Sequence, residues 1–540
     1  MLGGNASSEI RMWVCGAHGE NMRETGILEE IMLENLYRNP DMNYSIWDGI
    51  LYEYAKCEEN LTLLLNCACE ACQMDGNRII GITGYQTTTQ KYHAVRAQIF
   101  ADCSGDSVLA PLCGAAFRMG REARGEYGES IAPEIADQKT MGMSILMQAR
   151  EFQKPSTFIP PAWANRYTKR DLSHRVPDLT NPGENFWYLE LGGTRDTIAD
   201  TEEVRDELLK CAYGVWDYVK NAPENKEKNK NWRLDWMGML PGKRESRRYI
   251  GDHVMTQNDV RAGGHFEDVV AYGGWTMDDH DPRGFESGGA PNIFHPAPSP
   301  YGIPYRSLYS KNIGNLMFAG RNISVTHAAM SSSRVMATCA ILGQAMGTAA
   351  AIAIREKTSP RGIYERHLAE LRETLMSDDC YLPFARRTVS EIARTAHLDP
   401  ALEALRDGFD RPVDGTTHSV SVPLGAPVAY HFDAPQFVQS VRIVFDSDLN
   451  RMLMDKLPQR NLPANRPLDL PEAHLPKTLV RAYRIEAILE GGEGMIIAQE
   501  ADNRRRMRRH TVGHPIRELR LIPLETWGAN DCRLFSFDLK

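Results

Sequence analysis

A chain of 540 residues with 42% hydrophobic and 25% charged side chains has the composition of a soluble globular protein of roughly two to four domains. Its net charge of −9 argues against nucleic acid as a main partner. Eleven cysteines, odd in number and scattered, do not spell a disulfide framework, and the polar, Gly-rich opening residues carry no signal-peptide pattern, so a reducing, cytoplasmic setting is expected.

The first predicted element is a helix over GILEEIMLENLYRN (Gly26 to Asn39), where apolar residues recur at helical spacing, acidic residues take the other face and Pro40 closes the run. A second helix over Ile46 to Cys57 leads to a strand over Leu61 to Cys72. Asp75, Gly76 and Asn77 form a turn, Arg78 to Tyr85 is the partner strand, and a third strand from Ala94 to Ala101 delivers the chain to Asp102. This order predicts an α/β layer architecture with an inserted meander. The C-x-C-x-x-C spacing of Cys67, Cys69 and Cys72 would suit three thiolates of a 4Fe-4S or zinc site. On a regular strand, however, Cys67 and Cys69 share one face and Cys72 takes the other, so structural cysteines are the first reading and a cluster the alternative.

Met141 to Arg150 is again strand-like and opens an aromatic, irregular region that runs to about Tyr309. It contains a helix over Asp200 to Lys220, a solvated loop ENKEKNKN, and a basic cluster of Lys243, Arg244, Arg247 and Arg248. Trp187, Trp232, Trp236 and Trp275 would stack on a sugar or other flat ligand, or equally build a core.

Leu316 to Ala319 is a short buried strand that breaks at Gly320, Arg321 to Ser333 is a polar loop, and an Ala-rich run follows Arg334 as far as Ile354. That run is long enough to raise a membrane span, but Gln344, the Ala and Gly content and N-cap chemistry at Ser331 to Ser333 predict a buried helix instead. No membrane partner is expected. Gly343 and Gly347 predict a flat face for close packing. One more amphipathic helix spans Gly362 to Met376, and from about Ala401 short alternating strands separated by turn residues predict a β-sandwich. Within it Arg504 to Arg509 (RRRMRR) reads as a solvated loop ahead of an acidic-ligand or membrane-surface patch.

Four of these stretches carry a resemblance: LGGNASSEIR (Leu2 to Arg11), IFADCSG with Asp106 (from Ile99), GKRESRRYIGD (Gly242 to Asp252) and GNLMFAGRNISVTHAAMSSSR (from Gly314). In this order, over roughly the first 375 residues, they resemble the FAD-dependent oxidoreductases distantly similar to the flavoprotein chains of fumarate and heterodisulfide reductases. The resemblance implies an α/β fold. Its FAD-binding Rossmann-like domain would lie in two parts, 1–140 and 311–378, interrupted by an α+β substrate or cap domain at 141–310. A linker at 379–400 and an all-β sandwich at 401–540 would follow. GFDRPVDG and WGANDCRLFSFDL make the sandwich similar to galactose-binding-like, discoidin-type modules, which implies a carbohydrate ligand. By the same resemblance Gly3, Gly4, Asn5, Ser7 and Ser8 contact the cofactor, Gly105 and Asp106 take its dinucleotide side, Gly320, Arg321 and Asn322 follow the ribityl chain, and Ser332, Ser333 and Arg334 face the flavin's pyrimidine edge. The family's G-x-G-x-x-G phosphate loop does not precede LGGN, so the chain as written is expected to begin inside cofactor-binding structure.

The activity implied is hydride transfer between a small polar substrate, with a carbohydrate-derived one among the candidates, and the flavin. For the proton, His327 in the flavin loop is the first candidate, ahead of His265 and His18. Arg244 and Arg247 are candidates for clamping a carboxylate or polarising an oxygen. Two rivals remain at this stage: an iron–sulfur electron-transfer flavoprotein, and a cofactor-free carbohydrate-binding or scaffold protein. The sequence does not fix an oligomeric state.

Overall fold

The computed structural model describes residues 1–181, 183–451 and 471–540. Two helices follow the N-terminal segment, α1 (Ile27–Arg38) and α2 (Tyr44–Lys56), close to their expected bounds; the Asn43 side chain caps α2 by accepting from the Ser45 N–H. The meander comprises β1 (Cys67–Asp75), β2 (Arg78–Gln86) and β3 (Lys91–Val95), all antiparallel, and the chain then enters β4 (Phe100–Asp102). The expected third strand is thus two strands with a break at Arg96 to Ile99. β4 pairs in parallel with the strand Leu316–Phe318, Phe100 opposite Leu316 and Asp102 opposite Phe318. This ladder brings the Asp102 turn and the Gly320 turn side by side, although more than 200 residues separate them in the chain.

A register shift between Cys69 and Ala71 changes the alternation that the sequence implied. It returns Cys72 to the face used by Cys69, and both side chains pack partly buried against the main core. Among the described residues, no group of three or more His, Cys, Asp or Glu side chains is placed to hold a metal ion. The cluster reading of Cys67, Cys69 and Cys72 therefore gains no support, and the three thiols are free.

Three hydrophobic cores organise the molecule. The first lies under the β4 ladder and the long helix, with Phe100, Tyr249, Phe318 and Leu342 among its members. The third belongs to residues between the halves of that ladder: Met143, Ile145 and Met147 pack with Phe186, Leu208 and Trp216, the last two on the helix Thr201–Asn221. The second joins α1, α2 and the N-terminal segment to the C-terminal sheet: Ala6, Val14, Leu33, Trp47 and Ala337 share one cluster with Tyr430, Ile443, Tyr483 and Phe537.

The C-terminal sheet has six antiparallel strands in the spatial order Val420–Pro423, Asp531–Leu539, Val428–Phe445, Met507–Thr526, Val480–Leu489 and Gly494–Glu500. Its two longest strands carry register shifts near His431 to Gln436 and Val438 to Ser440, which bend them enough to fit a sandwich. The basic run, whose last three residues open the strand Met507–Thr526, is not a solvated loop. Arg504 pairs with Glu34 at 3.1 Å and Arg505 with Glu30 at 2.9 Å, both on α1. Arg506 reaches Asp379, Arg508 pairs with Glu500, and Arg509 reaches Asp378 at 3.3 Å. Each of the five arginines has an acidic partner, and four of those partners lie outside the sheet. Residues 379–400 take part in the same joint: buried Arg387 pairs with Asp538 on the last strand. Because the Arg504–Glu34 pair is partly exposed, Glu34→Gln is expected to cost about 0.5 kcal/mol at low salt and almost nothing at about 1 M salt. Melting temperatures at the two salt concentrations check this, and an equal loss at both would contradict the ionic account.

The Ala-rich run forms two helices, His327–Ser333 and Met336–Arg355, separated by an extended Val335. Ser331 to Ser333 lie inside the first and do not cap the second; the first is capped by Thr326, whose hydroxyl accepts from the Ala329 N–H. Met336–Arg355 is long and apolar enough to cross a membrane by length and composition, yet its Ile341, Leu342, Ala345 and Ala349 are buried in the first core. A Cβ added at Gly343 or Gly347 would meet open space, so the expected flat packing face does not exist. The last helix of this half is interrupted at His367, giving Pro360–Arg366 and Leu368–Ser377.

Candidate functional site

A cleft with about 680 Å³ of empty space, part of it open to solvent, lies where the N-terminal segment, the third core and the Gly320 turn meet. Asn5, Ile10, Met12, Trp13 and Cys15 form one wall, Ser144, Leu146 and Gly242 to Arg244 another. Trp275, Asp278, Arg321 and Arg334 to Met336 complete it.

The N-terminal wall is held by backbone that only glycine adopts easily. Gly3 and Gly4 have φ of 95° and 54°, and a Cβ on Gly3 would stand 2.9 Å from the Leu51 side chain. Ser7 turns back through its hydroxyl to the Gly4 carbonyl at 2.7 Å, and the Ser8 N–H bonds to Asp48 at 3.1 Å. Of the five residues expected here to touch a cofactor, only Asn5 lines the cleft, and its amide donates to the Lys243 carbonyl at 3.1 Å. Gly3, Gly4, Ser7 and Ser8 shape the turn behind it.

Asp102 and Asp106 organise the opposite side. The Asp102 carboxylate accepts from the Ser104 N–H, the Leu109 N–H and the Tyr249 hydroxyl, which fixes the turn at the end of β4. Asp106 accepts from Arg321 at 2.6 Å, Ser246 at 2.7 Å and Lys243 at 2.9 Å. Burial alone would raise its pKa, but the charges of Arg321 and Lys243 outweigh it and hold the carboxyl down at about 2. Gly105 and Gly320 have φ of 79° and 111°, and a Cβ on Gly105 would come within 3.3 Å of the Arg321 guanidinium. Asn322 is fully buried and donates to the Asp102 carbonyl at 3.4 Å.

Arg244 is in the cleft, donating to the Ser144 hydroxyl at 2.9 Å and the Trp187 carbonyl at 2.8 Å. Arg247 does not line it and leans towards Phe117, 5.5 Å from the ring centre. His327 does not line it either. It is buried with Nδ1 2.8 Å from Glu245 and Nε2 3.1 Å from Asp279, and these carboxylates outweigh the cost of burial and raise its pKa to about 10. His18 stacks on Trp275 with ring centres 4.2 Å apart, while His265 packs on Phe384.

Sequence reasoning passed over the segment WTMDDHD. Asp278 lines the cleft, and His280 behind it has Nδ1 2.6 Å from Glu190 and Nε2 3.6 Å from Asp278. Asp278 is pulled far below the carboxylate range: burial works against this, but the bond and charge of His280, with Arg334, prevail. Consecutive aspartates thus lead into two carboxylate–imidazole–carboxylate sets, Asp278–His280–Glu190 and Asp279–His327–Glu245. The detectable signal was the D-D-H triplet in an otherwise aromatic region.

Two buried polar atoms with no hydrogen-bond partner among the described residues, the Trp275 indole N–H and the Arg334 Nε, belong to residues that line this cleft. Two more, the Asn322 Oδ1 and the Ser333 hydroxyl, belong to the chain neighbours of the lining residues Arg321 and Arg334. Each unsatisfied group costs roughly 1–3 kcal/mol, so a ligand with alternating donors and acceptors would be stabilised here. The edge of a flavin ring is such a ligand, and the residues present fit the flavin end of FAD. Ser332 is already satisfied by the Trp275 carbonyl and the Tyr301 hydroxyl.

Comparison with known proteins agrees with that chemistry. The family described as FAD dependent oxidoreductase matches residues 1–375. No curated protein matches the chain. Among solved structures, the family 32 carbohydrate-binding module of Streptococcus pneumoniae EndoD is 12% identical, covering 26% of this chain and 83% of its own, with a TM-score of 0.19. The family 32 module of C. perfringens NanJ, solved with galactose, is 14% identical over 27% of this chain and 88% of its own, with a TM-score of 0.18. Since the family match takes in well over half of the residues and includes the Gly3–Gly4, Asp106 and Gly320 turns, the chain belongs to the FAD dependent oxidoreductase family.

Proposed function

We propose that this protein transfers a hydride between a small polar substrate and FAD held in the cleft. The unsatisfied buried polar atoms of Trp275 and Arg334, both on residues that line the cleft, are the observation that carries the reading. When bound, FAD supplies the acceptor or donor of the hydride. Trp275, Asn322, Ser333 and Arg334 would hold the flavin ring, and Arg321 and Asp106 would stand at the side chain that leads away from it. Residues 141–310 act as the substrate domain.

The remaining work belongs to this chain. Arg244 orients a substrate oxygen, since its guanidinium is already fixed by Ser144 and Trp187 and needs little reordering. Trp13 and Trp275 exclude water from the space between. Asp278, ionised and at the wall, accepts a hydrogen bond from a substrate hydroxyl. His327 is withdrawn from proton exchange by its two carboxylates and instead anchors the start of its helix.

Anaerobic mixing of the FAD-loaded protein with a panel of sugars, polyols and hydroxy acids tests the proposal through loss of the visible flavin absorbance. One member is expected to bleach the flavin, and Arg244→Lys to slow that step at least about tenfold by losing the forked donor. A flavin that dithionite reduces but no panel member does would contradict it. For the C-terminal sheet, the sequence resemblance supports a carbohydrate ligand. Its core is shared with Leu33 and Trp47, so a glycan array must use the whole chain, and silence across sugars would remove that reading.

A further inference from the structure

A second pocket, with about 340 Å³ of empty space that is partly open to solvent, lies where the C-terminal sheet meets the rest of the chain, and it shares no lining residue with the cleft. Three distant segments build it. Thr25 comes from the N-terminal segment, Asp379 and Arg387 from the stretch after the helix Leu368–Ser377, and Phe409, Asp410 and Arg411 from the residues that lead into the sheet. Four guanidinium groups and three carboxylates crowd around this pocket. Arg442 grips both oxygens of Asp410, at 2.7 and 3.1 Å, Arg506 lies 3.2 Å from Asp379, and Arg387 pairs with Asp538. Arg411 is left over. It is 2% exposed and donates only to neutral oxygens: the carbonyls of Asn21 at 2.9 Å and Arg23 at 3.1 Å, and the hydroxyls of Thr25 at 3.0 Å and Tyr272 at 3.4 Å. None of the ion pairs among the described residues includes it. A donor of Arg387 is idle as well, since its Nε is buried with no partner among the described residues.

We infer that this pocket binds a small oxyanion, a carboxylate or a phosphate, between Arg387 and Arg411. A buried cation is costly unless an anion answers it, and a buried donor left unmade adds to the cost. An oxyanion relieves both at once, because it supplies the missing charge and accepts from forked guanidinium donors. The two carboxylates on the wall do not close the pocket to an anion: Asp410 gives both oxygens to Arg442, and Asp379 faces Arg506. Glu24 also acts on Arg411, but it is bonded to the Ala17 N–H at 2.8 Å and acts first on Arg23. At the rim, Arg386 lies 5.8 Å from the Phe409 ring and adds to the positive field. Since the lining comes from three segments, the bound anion ties the approach to the sheet to the N-terminal segment and to the end of the first half.

Calorimetric titration of inorganic phosphate, and separately of acetate, into the protein as purified at fixed ionic strength in chloride tests this. One equivalent of at least one of them is expected to bind, and to bind about tenfold or more weakly in Arg387→Met. That variant also strands Asp538, so Ala385→Phe is its companion. Ala385 is half-buried and lines the pocket, and the added ring fills the space without removing a charge. Binding should be lost in this variant while its melting temperature in chloride stays close to that of the wild type. Phosphate binding with acetate silent assigns a phosphate group, the reverse assigns a carboxylate, and if both bind they should compete. Binding of neither overturns the inference. So does binding that survives unchanged in Ala385→Phe, because the anion then sits elsewhere, as among the arginines of the cleft. The inference does not rest on the proposed function: a protein that binds phosphate here and no FAD leaves it standing.

Discussion

Raising the pH from 6.5 to about 10 is expected to cost the wild-type protein about 2–5 kcal/mol more stability than it costs His327→Gln. The sign follows from His327. Its pKa in the folded protein is raised from 6.5 to about 10, because the charge of Glu245 and the bond to Asp279 overcome the penalty of burial. A group with a raised folded pKa contributes stability that is fully present below its unfolded value and is lost as the pH rises through the folded one. Tyr, Cys and Lys titrate near the upper end in both proteins, so the difference between the two urea midpoints, followed across pH, isolates the histidine. At neutral pH the variant should already be weaker, since Glu245 and Asp279 lose their shared cation. Parallel pH profiles for the two proteins would show that His327 is not the buried imidazolium described here.

Arg248→Met is expected to destabilise the protein by about 3–5 kcal/mol, the usual cost of stranding a buried charge. Arg248 is 1% exposed and uses four of its five N–H donors: it pairs with Glu245, bonds to Glu122 at 2.7 Å, and donates to the carbonyls of Gly120 at 2.7 Å and Val325 at 3.0 Å. Removing it leaves two carboxylates, 2% and 0% exposed, with the His327 imidazolium and, at 3.5 Å from Glu122, Arg118 as the remaining cations. The triple variant Arg248→Met, Glu122→Gln, Glu245→Gln should recover part of the loss, because the uncompensated charges go with it. Equilibrium urea unfolding measures both, and a loss below about 1 kcal/mol for the single variant would mean that the network is held by something other than this ion set.

The local elements were legible because one physical rule governs each. The apolar spacing of Gly26 to Asn39 gave α1 to within a residue at each end, and the turn-bounded alternation after Ala401 gave the presence of the C-terminal sheet, though not its edge strands Val420–Pro423 and Gly494–Glu500. The family turns were legible too, since Gly3, Gly105 and Gly320 occupy backbone conformations that admit little else. What the sequence hid depends on partners far away in the chain. Six consecutive residues with five arginines look like a solvated loop until Glu30, Glu34, Asp378 and Asp379 are brought alongside. The face of Cys72 was misjudged because a bulge shifts the two-residue period, and no residue type announces it. His327 stood out by its position after the Gly320 turn, yet the carboxylates that bracket its imidazole lie 82 and 48 residues away. His280, behind the cleft wall, went unnoticed for the converse reason: Glu190, which holds its Nδ1, lies 90 residues away.

Titrating FAD into the purified protein while recording the visible spectrum tests most directly whether the cleft is a flavin site. The account predicts one equivalent bound with shifted flavin bands, and weakening of about tenfold or more when Asn322→Ala and Ser333→Ala are combined. A spectrum identical to that of free FAD at saturating protein, or binding indifferent to both substitutions, would contradict it.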